Sequence, residues 1–321
     1  MSGIFTLATY KQGMERRELP HGPPPHRRHT SSGAPGGMGG ADISMAISLS
    51  RWQPRDDLYR YPQLFAGSCL LSGIGLFLSH AWNLPEKGLV SVFLAAAALT
   101  TWFRYLLAEN RDAIWLARQR PRDVNLRTAG SVLAMFMGVV AAFAVAAALL
   151  GEDQTRGGFG FIFASAAVGD GTILDRQFAD FDGVLRHNLQ VLVAFFCLAF
   201  VYHAYGALLT IAWNACAWSL VLVVLVARGA AVTDVSPALF VTVATAAVLP
   251  HLVLEAAGYV SATLASVFIS RAVFKYGVSD PRTRQVLVAG GKLLATATVM
   301  LIVAAWVEST LPRWALAQLA N

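Results

Sequence analysis

From about residue 64 to residue 307 the chain alternates long apolar runs with short polar links. Each run is close to the roughly 20 residues an α-helix needs to cross the hydrocarbon of a bilayer. Backbone polar groups inside a bilayer must be satisfied within the segment, so the pattern predicts helices. The runs 64–82 and 89–107 flank Asn83-Leu84-Pro85-Glu86-Lys87-Gly88 and read as a tight helical hairpin. A third run covers 130–150. The stretch 188–227 is about twice the length of one span and reads as two, turning near Tyr205-Gly206. The run 238–270 contains Pro250, whose missing N–H predicts a bent or discontinuous helix. With a last run at 292–307, the expectation is an all-α polytopic membrane protein of about seven transmembrane helices.

The polar links set an orientation. Arg111, Arg118, Arg120, Arg122 and Arg127 gather between the second and third spans, and Arg271, Lys275, Arg282 and Arg284 before the last. Arginine next to span ends marks the cytoplasmic side, so 108–127 and 271–287 are expected inside. The connection 151–187 carries more acid than base and is expected outside. Its Leu174, Phe178, Phe181 and Leu185 are spaced to share one helical face, which predicts an interfacial amphipathic helix. Residues 1–60 are rich in Gly, Pro, Arg and His and are expected to form a disordered cytoplasmic tail. The expected organisation is thus a tail (1–60), an N-terminal hairpin (61–108) and a five-helix membrane domain (126–311). The cytoplasmic membrane is the expected location, with the N-terminus inside.

Composition supports this reading. Hydrophobic residues make up 56% and charged residues 14%, with mean hydropathy +0.54, more apolar surface than a soluble domain of this size hides. The net charge of +6 lies between spans, which fits topology and anionic headgroups, not nucleic acid. Cys69, Cys197 and Cys216 all sit inside apolar runs with no metal spacing. His21, His26 and His29 belong to the polar tail and read as solvated. No nucleophile elbow, phosphate loop or dinucleotide fingerprint occurs. No catalytic role, cofactor or metal is expected.

Polar residues inside spans are costly to bury and are therefore the functional candidates. They are Asn188, His203, Asn214, Pro250, His251, Glu255 and Glu308. His251 and Glu255 are one helical turn apart, just after Pro250, and share a face. Four roles fit such groups: fastening helices together, lining a transport or proton path, docking a membrane partner, or holding zinc. The His-x-x-x-Glu pattern lacks a third ligand of recognisable spacing, which weighs against zinc. Beyond Glu255, Gly258, Ala262 and Ser266 form a small-residue stripe suited to close helix packing.

Several of these residues, in order, carry a resemblance. Arg186-His187-Asn188-Leu189, Gly206, Asn214, Leu249-Pro250-His251 with Glu255, and Ala304-Ala305-Trp306-Val307-Glu308 resemble the stage II sporulation protein M (SpoIIM) family. The likeness covers about 126–311, with family glycines replaced by Ala215, Leu252 and Ser309. It implies a five-helix core and a non-enzymatic scaffold that anchors or recruits partners, cell-envelope or peptidoglycan-remodelling factors among them. The alternative is a transporter or permease component with a midplane polar site around Pro250, His251 and Glu255. The expected partners are the lipid bilayer and other membrane or envelope proteins, with a homo-oligomer also open and no nucleic acid.

Overall fold

The computed structural model describes residues 57–82, 86–165 and 180–318. The tail up to residue 56, and the part of the expected amphipathic helix before Asp180, lie outside the described residues. The helices are α1 (Asp57–Ala81), α2 (Lys87–Trp115), α3 (Pro121–Gly158), α4 (Gly160–Ser165), α5 (Phe181–Val232), α6 (Pro237–Tyr276) and α7 (Pro281–Ala317). All but α4 are long and apolar enough to cross a membrane. The protein is an all-α, multi-pass membrane protein.

Local chemistry places several helix starts. Pro121 and Pro237 sit in the first turns of α3 and α6, where a missing N–H costs nothing and a fixed φ suits the helix. The Ser236 hydroxyl accepts from the Leu239 amide. Asp280 precedes Pro281 and accepts from the Arg282 amide at 2.7 Å, an N-cap. The Arg282 side chain, bonded to the same carboxylate, holds Asp280 below the usual carboxylate range.

Contacts along the helices give their directions. Arg60 meets Glu109, and a Cβ at Gly67 would meet Trp102, so α1 and α2 run antiparallel. Arg60 also reaches Ser131 while Gly138 lies on Phe65, so α1 and α3 run parallel. α5 folds back where Gly206 closes on Leu198, its first arm running with α6 (Phe200 beside Ser270) and its second with α3 (Ser219 beside Val140), so α6 ends where α3 begins. The links 116–120 and 277–280 therefore share one end of the bundle, the basic end.

The 52-residue α5 replaces two of the seven expected spans. It is broken at His203, whose φ of 52° and ψ of −125° are not helical. The arm 181–202 runs beside α6, with Ser266 Oγ donating to Phe196 O and Ser270 Oγ to Phe200 O, both at 2.6 Å. The arm 204–232 instead follows α3, with Ser219 Oγ on Val140 O and Arg228 on Glu152. With Gly206 closing on Leu198, the two arms run in opposite directions. The expected fold-back thus exists, with its non-helical residue at His203, two positions before Tyr205-Gly206. Gly206 is where the arms close, since a Cβ there would lie 2.2 Å from Leu198 O.

Three further expectations are corrected. α6 runs through Pro250 without a break, so the span is not discontinuous: one lost N–H is tolerated in a membrane helix packed among neighbours. Residues 151–165 are not an open loop. Gly151, at φ 73°, redirects α3, and the chain turns back so that Phe159, Ile162 and Phe163 are buried. Phe159 packs edge-on to Phe143 (6.1 Å, 81°) and over Gly88, where a Cβ would stand 2.5 Å from its ring. Finally, α1 begins at Asp57, so Arg60, counted with the tail, is a buried member of the bundle.

Candidate functional site

The small-residue stripe of α6 builds the site. Gly258 admits α7, and a Cβ added there would meet Leu301 Cδ2 at 3.1 Å and Ala297 O at 3.3 Å. Ala262, Ala265 and Ser266 are fully buried. α6 is thereby held between the first arm of α5 and α7, around an apolar cluster of Leu192, Phe195, Tyr259, Ala262, Ala297 and Leu301. Phe195 and Tyr259 meet edge to face at 5.2 Å. The stripe lies inside the bundle.

Polar groups sit one turn beyond this cluster. Asn188 Nδ2 donates to Glu255 Oε1 at 2.5 Å, joining α5 to α6. Both residues are buried, at 3% and 5% exposure, as is His251 at 5%. A carboxylate in such a setting needs a donor or a proton, because an unsatisfied charge costs several kcal/mol. Asn188 supplies the donor. Tyr259, one turn on from Glu255, is itself buried, and Glu308 of α7 is half-buried. Asn188 and Glu255 thus join two helices, with His251 and Tyr259 one turn to either side of Glu255 along α6.

Other candidates fall elsewhere. Asn214 is buried on the second arm of α5, and the amide that reaches Glu255 is that of Asn188. His203 is at the bend, with Nδ1 2.8 Å from Ser270 Oγ and its ring edge-on to Phe274 (5.5 Å, 88°). Ser270 lies 15 residues beyond Glu255 on α6, roughly 22 Å along a helix axis. Pro250 precedes His251 within the helix. Among the described residues no group of three or more His, Cys, Asp or Glu is arranged to hold a metal ion.

A second polar network lies near the basic end. Arg60 makes two 2.8 Å bonds to Glu109 and one to Ser131 Oγ. Beside it, buried Asn110 donates to Asn125 Oδ1 and Thr128 Oγ1. Residues 49 and 71 positions apart give no local spacing to detect. The serines of α6 are different, because Ser266 and Ser270 continue the four-residue rhythm of Gly258 and Ala262. No family model, curated protein or solved structure matches the chain.

Proposed function

We propose that this chain is a non-enzymatic multi-pass membrane scaffold that anchors or recruits partner proteins. The observation that carries the reading is the Asn188–Glu255 hydrogen bond, which directs the most costly buried group toward a neighbouring helix. The serine-to-carbonyl bonds at Phe196 and Phe200 have the same character. Such groups rigidify a bundle and present fixed ends to partners. The resemblance of residues 126–311 to the SpoIIM family points to envelope or peptidoglycan-remodelling proteins as the partner class. It also points to a bacterial cytoplasmic membrane, with the N-terminal tail and basic end inside. A transport role draws on one observation, the burial of His251 and Glu255 one turn apart on α6.

One experiment separates the two. The chain is purified in mild detergent from its native membrane, as wild type and as Glu255→Gln, and co-purifying proteins are identified by mass spectrometry. A scaffold retains the same envelope-remodelling proteins in both forms, since the carboxamide oxygen of the variant still accepts from Asn188. Proton-coupled flux in proteoliposomes that Glu255→Gln abolishes, with no co-purifying protein, would overturn the scaffold reading.

A further inference from the structure

The link between α2 and α3 is short, basic and fixed. α2 offers a 28-residue span, Lys87–Ile114. At 1.5 Å per residue that is about 42 Å, the thickness of a bilayer together with its headgroups. The link 116–120 therefore emerges at headgroup level. Its backbone is tied down from both sides. The amides of Leu116 and Ala117 donate to Asp112 O at 2.9 and 3.0 Å, and that of Gln119 to Ala113 O at 2.9 Å. On the far side, the amides of Asp123 and Val124 donate to Arg120 O at 3.1 and 3.3 Å.

This frame displays Arg118, Arg120 and Arg122, all exposed, within five residues. Among the described residues none of their side chains has a hydrogen bond or ion pair. Asp123 is the sole acid from residue 113 to residue 127, and Asp112 is taken by Arg111 at 2.8 Å. Leu116, between the span and the arginines, is 78% exposed. Arg118 has a φ of 51°, a left-handed conformation that glycine adopts at helix ends without a Cβ penalty. An arginine is strained there, and strain of this kind gathers where a function uses the residue. Guanidiniums suit phosphate, whose oxygens accept their forked N–H donors two at a time. At this depth, unclaimed guanidiniums beside an exposed leucine fit a phosphate with a hydrocarbon tail.

We propose that residues 116–122 form a binding site for an anionic phospholipid. Arg118, Arg120 and Arg122 take headgroup phosphate, and Leu116 lies against the start of the acyl chains. Arg118 keeps its strained place for the charge it delivers. This site is independent of the scaffold reading.

The test uses the full chain in neutral detergent, with phosphatidylglycerol, phosphatidylcholine and soluble glycerol phosphate as probes. Native mass spectrometry reads retained lipid, and thermal unfolding gives the melting midpoint. The wild type is expected to retain phosphatidylglycerol in preference to phosphatidylcholine. Arg118→Gly raises the lipid-free midpoint, because the strain is gone. It nonetheless binds phosphatidylglycerol about fivefold more weakly, the share of one arginine near an anionic surface. Arg118→Lys recovers most of the binding and none of the gain in midpoint. Arg284→Gln, at an exposed arginine in the first turn of α7, binds like the wild type. Four results would each overturn the proposal. One is equal retention of the two lipids by the wild type. Another is an Arg118→Gly variant with unchanged binding or an unchanged midpoint. A third is a loss in Arg284→Gln equal to that in Arg118→Gly, the mark of diffuse surface charge. The last is a full response to glycerol phosphate alone, the mark of a soluble anion.

Discussion

Glu255 holds its place in an apolar bundle because an amide reaches it from α5 at 2.5 Å. Removing either partner leaves the other buried and short of a hydrogen bond. Asn188→Ala and Glu255→Ala are each expected to destabilise, and the double variant to lose less than their sum. The coupling is expected on the order of 0.5–2 kcal/mol, the range of hydrogen bonds between membrane helices. Thermal or denaturant unfolding in detergent measures it, and additive losses would show that the bond contributes nothing. The sequence singled out both residues as costly to bury, but not as a pair. Separation explains this, because spacing along one helix pairs His251 with Glu255 and is silent about a residue 67 positions away. His203 shows the same limit. Its left-handed φ costs roughly 1–3 kcal/mol, offset by the Ser270 bond and the Phe274 edge contact, each worth about 1 kcal/mol.

At the scale of elements, glycines decide where helices touch. Added Cβ atoms at Gly138 and Gly206 would lie 2.3 Å and 2.2 Å from the carbonyl oxygens of Phe65 and Leu198. Backbone cannot yield as a side-chain tip can, so Gly138→Ala and Gly206→Ala are each expected to destabilise by about 1–3 kcal/mol. Gly73, in the same helix as Phe65, has no neighbour within 4 Å of such a Cβ. Gly73→Ala is expected to be neutral or to stabilise by up to about 1 kcal/mol, the helix-propensity gain. Melting curves of the three variants check the order, and equal losses at Gly73 and Gly206 would refute the close-approach argument. Hydropathy made the helices legible, since a span needs only length and apolarity. Their ends were less so: α1 starts at Asp57, seven residues before its apolar run, because Glu109 and Ser131 draw Arg60 inside. Residues 151–165 read as loop because the turn at Gly151 depends on burial of Phe159, which no local pattern encodes.

For the whole molecule, the helix directions place the links 116–120 and 277–280 together, with Gly157 toward the other end. In a cysteine-free background, Arg120→Cys and Gly157→Cys are expected to react with an impermeant thiol reagent from opposite faces of the membrane. Labelling of both from one face would break the topology. The bridge between α5 and α6 also has a consequence for synthesis. Translation delivers Asn188 to the membrane 67 residues ahead of Glu255, so the amide is in place before the acid arrives. α7, which leaves the ribosome after α6, then seals Gly258 from the far side. The nascent chain never has to carry that carboxylate into lipid without a waiting donor.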